Sequence, residues 1–242
     1  MKKIFTQIQI TLFALFLTSS AYANDVLRLG ANVWMPYVMQ DANGIHGIAV
    51  DKAFKIFSEI DKDLKISLLP FKRVLQHAKN GTTHGVLLSA NRSDRQEYLA
   101  FTLPVFCERR IFITTDKRKF DWQDSNQLRS KRLGMGLGYY VGKRINEWVE
   151  TGLIPPITKA KDESLFELLK NDRLDFIIYS EKEFIEFQKL GSQHVDGLSV
   201  LEEPLNELTL HIGFSIQHDG VAYRDKANSI IQRLNLQEDC SG

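Results

Sequence analysis

The sequence predicts an α/β protein assembled from two successive strand–loop–helix cycles. Three observations predict it. Strand-like apolar runs alternate with amphipathic helical runs along almost the whole chain, the same plan recurs once in each half, and Gly or Asn-Gly turns punctuate the joins. That alternation points to layered helices on mostly parallel sheets.

The elements follow in order. Residues 26–30 are apolar enough for a first strand, and Asp51 opens a helix with Phe54, Phe57 and Ile60 on one stripe. Residues 64–69 alternate as a strand. Residues 71–79 form a helix that stops at Asn80-Gly81, and 85–88 form a short buried strand. Ser93 and Gln96 have capping-box spacing, so a short helix starts at Ser93 and carries Arg95 in its first turn. Residues 110–114 make another strand. In the second cycle, the strand 132–136 enters a glycine-rich turn before a helix over 141–151. Ser164 and Glu167 form a second capping box ahead of a helix over 165–171. A β-rich strand over 174–179 precedes a helix over 181–190 that Gly191 closes. A long strand over 208–216 is followed by a helix over 223–234, with Ala227, Ile230, Ile231 and Leu234 on one side.

The first residues read as an address. Lys2 and Lys3 precede an apolar core over 8–17, and Ala21-Tyr22-Ala23 has the small-x-small form of a cleavage site. The apolar run is too short for a stable span, so it predicts a secretory signal peptide over residues 1–23, cut after Ala23. Losing Lys2 and Lys3 with it takes the formal net charge from +1 to −1. Near-neutral, interspersed charge lacks the basic footprint of a nucleic-acid binder and predicts no nucleic-acid partner. The 43% hydrophobic content suits a globular chain with a substantial core. Its two cysteines, Cys107 and Cys240, exclude a CxxC motif. In an oxidising compartment they either pair with each other or stay as two buried thiols. The six histidines are scattered and predict no metal site, and no cofactor motif stands out.

Several segments together resemble the type 2 periplasmic solute-binding proteins, the group that includes the polar amino-acid receptors of ABC importers (bacterial extracellular solute-binding protein family 3). They are the opening strand at Leu27–Gly30 with Trp34-Met-Pro-Tyr37, and Gly47-Ile-Ala-Val-Asp51. Pro70-Phe-Lys-Arg73 with Asn80-Gly81 and His84-Gly85 adds to them, as do the block from Arg92 to Phe106, the segment from Arg132 to Gly142, and Asn171 to Ile178. The resemblance runs from about Leu27 to Ala227. It implies a type II periplasmic binding fold, with two α/β lobes, a two-strand hinge and a ligand cleft between the lobes. Lobe one would comprise residues 24–111 plus 214–242, and lobe two residues 112–213. The chain ends at Gly242, sooner than the resemblance implies, so lobe one is trimmed or the chain incomplete.

By the same resemblance Arg95 pairs with a ligand carboxylate, for which a guanidinium offers a fixed fork of donors. Trp34 and Tyr37 fall in the loop that supplies a stacking aromatic. Arg73 is a second carboxylate contact or an exposed helical arginine. Ser89 and Asn91 offer short polar groups beside the strand end, or serve ordinary turn chemistry. In lobe two Gly138, Tyr139 and Tyr140 form a glycine turn opening a helix, where backbone N–H groups face an anion. Its dinucleotide-like glycine spacing is a weak signal. Amino-acid receptors commonly place an aspartate after the strand ending at Tyr179. Here Ser180 stands there with Glu181 next, so either Glu181 substitutes or the ligand lacks an α-ammonium group.

The expected protein is thus a periplasmic monomer, not an enzyme. It captures a small carboxylate-bearing solute, such as an amino acid or related organic acid, and hands it to an inner-membrane ABC permease or a sensor. One alternative is an enzyme on the same fold, resembling cyclohexadienyl dehydratases and using Glu181 as its acid. Another is a degenerate homologue that binds a partner protein.

Overall fold

The structure, a computed structural model, describes residues 26–60, 62–136 and 143–240. The proposed leader over 1–23 and the turn holding Gly138, Tyr139 and Tyr140 lie outside the described residues. Among the described residues, no helix is long and apolar enough to cross a membrane.

The first cycle runs β1 (Leu27–Ala31), a hairpin of β2 (Met39–Asp41) and β3 (Gly44–His46), α1 (Ile48–Phe57), β4 (Leu64–Leu68), α2 (Phe71–Lys79) and β5 (Gly85–Ala90). It continues with α3 (Ser93–Gln96), β6 (Leu99–Phe101) and the long β7 (Phe106–Thr115). The second runs α4 (Ser125–Leu128), β8 (Leu133–Gly136), α5 (Lys143–Glu150), β9 (Thr158–Ala160), α6 (Asp162–Lys170), β10 (Phe176–Ser180) and α7 (Glu181–Lys189). The chain then returns through β11 (Leu198–Val200), the long β12 (Asn206–Ser215) and α8 (Gly220–Arg233).

The strands join in the order β4-β1-β5-β12-β7-β10-β8-β9, with β6 on β12 and β11 on β7. Parallel pairing holds within each cycle, β4-β1-β5 on one side and β10-β8-β9 on the other. Between them β12 and β7 run antiparallel to each other and to their outer neighbours. The expectation of mostly parallel sheet therefore holds only in the flanks. The two ten-residue strands cross from one flank to the other, so the sheet centre is antiparallel.

Apolar packing divides the same way. One set of buried side chains draws on β1, α1, β5, β12 and α8, with Val74, Ala78, Val86 and Leu99 on the other side of the strands. A second set draws on β7, β8, β10, α5, α6 and α7. Burying a sheet on both faces under helices is the usual solution for parallel strands.

Several local expectations are corrected. Arg92, not Ser93, precedes α3, and no side chain caps it, so the Ser93–Gln96 spacing forms no capping box. Helix α6 opens at Asp162 after Lys161, which places Ser164 inside the helix. In α1 the buried face is Ala49, Val50, Ala53, Ile56 and Phe57. Phe54 lies off that stripe and is exposed, and the helix starts at Ile48, ahead of Asp51.

The C-terminal segment is strapped across the crossing strands. Cys240 is disulfide-bonded to Cys107 of β7. Glu238 Oε1 accepts hydrogen bonds from the Cys107 N–H (3.3 Å) and from Lys182 Nζ of α7 (3.0 Å). Lys52 of α1 reaches the same segment, donating to the Leu236 carbonyl at 3.2 Å and lying 3.7 Å from Glu238. The segment therefore touches helices from both flanks of the sheet.

Candidate functional site

The C-terminal ends of β1 and β5 lie side by side, as do those of β8 and β10, and ligands of open α/β sheets collect at such ends. The register sets the space between them. Ala90, at the end of β5, pairs with Leu210, which pairs with Phe106 of β7. Ser180, at the end of β10, pairs with Arg110 of β7. The two ends are thus four residues apart along β7, roughly 13 Å at about 3.3 Å per residue.

The β5 end carries Arg95. Its side chain is 94% buried, unusual for arginine, and its Nη1 donates to Ser89 Oγ (2.8 Å) and the Ala90 carbonyl (3.3 Å). The guanidinium also lies 5.2 Å from the Phe71 ring centroid. Its Nε is buried without a hydrogen-bond partner, and no described carboxylate lies within ion-pair distance. Burial first, then the charge of Arg92, pushes its pKa below the ordinary arginine value. This cation is oriented by neutral acceptors, with no carboxylate in direct contact. Asn91 is exposed and accepts from Gln96 Nε2 at 2.7 Å, a local turn contact. Arg73 is exposed on α2.

The β1 end carries the aromatic loop. Trp34 and Val38 exchange backbone hydrogen bonds, closing a tight loop around a cis Met35–Pro36 bond. Gly47 pins that loop to α1. Its φ of +128° and the Tyr37 carbonyl 2.5 Å from where a Cβ would sit leave room for glycine alone, and the Ile48 and Ala49 N–H groups donate to the Pro36 and Tyr37 carbonyls. Trp34 and Tyr37 rings lie 4.7 Å apart, and both residues are buried.

Tyr37 is turned inward and offers no face to solvent. Its hydroxyl donates to Glu108 Oε2 at 2.5 Å, and its ring meets Phe106 edge-on. Burial, then the Glu108 carboxylate, pushes the phenol far above its usual pKa, so it stays a neutral donor. Glu108 is fully buried and its Oε1 has no hydrogen-bond partner. Tyr37→Phe is therefore expected to destabilise the protein by about 1–3 kcal/mol, the cost of leaving a buried polar group unsatisfied. Urea unfolding at constant m-value checks this, and a loss under about 0.5 kcal/mol would show that the bond contributes little.

On the second flank, Ser180 is buried and its Oγ accepts the Glu183 N–H, capping α7. Glu181 points elsewhere, 3.4 Å from Arg109, which also reaches Glu207 at 3.4 Å. The structure therefore joins Arg95 to Ser89 and Trp34 to Tyr37, and gives Ser180 and Glu181 separate tasks. Among the described residues the one cluster with metal-ligand potential is Cys107, Glu207 and Cys240, whose two sulfurs are bonded to each other.

Arg110, Glu108 and Asn206 were not singled out from sequence. Arg110 is 94% buried and its guanidinium lies 5.4 Å from the Trp34 ring centroid. Sequence periodicity starts this strand at Arg110, so the face that Glu108 and Arg110 share in β7 was not legible.

No protein-family model and no curated protein sequence matches the chain. Solved structures do. An arginine-bound, truncated ArgBP from T. maritima aligns with TM-score 0.71 and 18% identity over 86% of this chain and 96% of its own. An ancestral arginine-binding protein bound to arginine gives TM-score 0.73 and 17% identity over 87% and 92%. An ancestral amino-acid-binding protein, described as a precursor of cyclohexadienyl dehydratase, gives 0.70 and 13% over 87% and 89%. At these identities the likeness is one of fold, and the chain has the two-lobed fold of the type II periplasmic binding proteins.

Proposed function

We propose that this protein, on its type II periplasmic binding fold, is an exported solute-binding protein that captures a small carboxylate-bearing solute between its lobes. The observation that carries this reading is Arg95, a buried guanidinium at a strand end, aimed by Ser89 and Ala90 and lacking any described carboxylate partner. A ligand carboxylate supplies that partner. Trp34 forms an apolar wall of the cleft, packed against Tyr37. Lobe one is residues 24–111 plus 214–242 and lobe two 112–213. β7 and β12 serve as the hinge, about which closure buries the solute. Tyr37 and Ser180 support the site by fixing the loop and the α7 start.

The leader over 1–23 delivers the protein to the periplasm, where it works as a monomer for an ABC permease or a sensor. The arginine- and amino-acid-binding descriptions of its structural neighbours agree with solute capture. The neighbour described as a dehydratase precursor keeps an enzyme in view. That chemistry needs a poised acid, and Glu181, the residue it would rely on, is engaged by Arg109.

A thermal-shift screen of the chain without its leader tests the reading. Amino acids, other organic acids and small peptides are compared with their carboxamide counterparts. Carboxylate-bearing compounds are expected to raise the midpoint, because only binding to the native state does so. Equal shifts from the carboxamides would remove Arg95 from its role.

A further inference from the structure

We infer that the C-terminal segment is an interlobe latch: Glu238, fixed to lobe one, holds the Lys182 ammonium of lobe two and so selects the relative orientation of the lobes. This goes beyond solute capture and rests on the two-lobe division, not on Arg95.

The segment is bound to lobe one at several points. The Leu236 N–H donates to the Ile231 carbonyl of α8 at 2.9 Å, and the Glu238 N–H to the Pro104 carbonyl at 3.2 Å. Lys52 Nζ of α1 donates to the Leu236 carbonyl at 3.2 Å and to the Val105 carbonyl at 2.6 Å, tying the segment to the approach to β7. Cys240 is bonded to Cys107. The Glu238 carboxylate is thereby held beside β7, where the Cys107 N–H donates to it at 3.3 Å.

The moving partner is Lys182. It stands in the first turn of α7, whose start is capped by the Ser180 hydroxyl at the end of β10, so it travels with lobe two. Its Nζ donates to Glu238 Oε1 at 3.0 Å and to the Cys107 carbonyl at 2.9 Å. The same ammonium lies 5.5 Å from the Tyr37 ring centroid and 5.8 Å from that of Phe106, and Lys52 Nζ lies 4.0 Å from the Phe106 centroid. One aromatic ring thus adjoins two ammonium groups, one from each lobe.

Two ammonium groups held by one carboxylate repel each other. Glu238 is that carboxylate, 3.0 Å from Lys182 and 3.7 Å from Lys52. Burial lowers the pKa of Lys52; the Glu238 charge opposes that shift and the Lys182 charge adds to it. Neutralising Glu238 removes an attraction between the lobes and leaves a repulsion, so both effects disfavour the orientation seen here. A contact made in one orientation of a hinge and lost in another shifts the balance between them by its own strength.

The competing tie is Arg109 of β7, 3.4 Å from Glu181 of the same helix turn and shared with Glu207.

Double electron–electron resonance between spin labels on keto amino acids at Lys72 and Lys161, exposed residues of lobe one and lobe two, reads the orientation with no solute present. The leader-free wild type is expected to show one dominant distance. Glu238→Gln and Lys182→Gln should each lower the ratio of that population to the others about two- to fivefold, the effect of a partly exposed ion pair. Salt at about 1 M should do the same to the wild type. Cys240→Ser should give a smaller change in the same direction, because Lys52 and Pro104 still hold the segment. Glu59→Gln, which breaks an ion pair with Arg233 inside lobe one, should leave the distribution as it is. Circular dichroism confirms folding of each variant. Unchanged distributions in Glu238→Gln and Lys182→Gln, or an equal change in Glu59→Gln, would overturn the latch. A change in Arg109→Gln alone would assign the hold to Arg109 and Glu181 instead. None of these results bears on the carboxylate reading of Arg95, which only solute binding tests.

Discussion

Reducing the Cys107–Cys240 bond is expected to lower the stability of the protein by about 3–5 kcal/mol, the range for a cross-link closing a loop of this size. The two cysteines are 133 residues apart, so the bond removes a large share of the unfolded chain's freedom. It also holds the segment around Glu238. Without it, the contacts of Glu238 with Lys182 and Cys107, and of Lys52 with Leu236, compete against a mobile end. For a chain of this length about 3 °C of midpoint accompanies each kcal/mol, so a drop of about 9–15 °C is expected. Thermal unfolding with and without tris(2-carboxyethyl)phosphine measures it. Cys240→Ser should show the lowered midpoint in both conditions. A wild-type change below about 2 °C would mean that the segment is held by its polar contacts alone.

Much of the fold is legible where punctuation and periodicity agree. Helix α2 is predicted at its observed bounds because Pro70 starts it and Asn80-Gly81 ends it. Ala227, Ile230 and Ile231 of α8 are buried as their spacing predicts. The three-residue strands β6, β9 and β11 are not legible, since they exist by pairing with a neighbour and are too short to show a period. More instructive is β7. Sequence periodicity starts it at Arg110, whereas it begins at Phe106. Glu108, Arg109 and Arg110 interrupt the apolar pattern there, each because it has a specific neighbour: Tyr37 for Glu108, Glu181 for Arg109, Trp34 for Arg110. Local rules fail at that stretch because it crosses from one flank to the other and lines the candidate site. The site residues were legible only as types at strand ends. Which of them support and which face the cleft depends on long-range contacts such as Tyr37 with Glu108, 71 residues away.

Arg95→Ala is expected to weaken binding of a carboxylate solute by about 3–4 kcal/mol, several hundredfold, if the guanidinium is its desolvated partner. The magnitude follows from the surroundings. A surface arginine would contribute less than about 1 kcal/mol, because water competes for both charges. Arg95 is 94% buried, its pKa is lowered chiefly by that burial, and its protein partners, Ser89 and the Ala90 carbonyl, are neutral. A ligand carboxylate left facing the apolar Phe71 side of the site would have nothing to replace the lost donors. Arg95→Lys should recover only part of the loss, since a single ammonium cannot keep the Ser89 contact and still present a two-pronged donor to the solute. Calorimetric titration of both variants, with folding confirmed by circular dichroism, checks the series. Equal affinities for wild type and Arg95→Ala would mean that the carboxylate is held elsewhere, and the buried guanidinium would then be a structural brace between α3 and the end of β5.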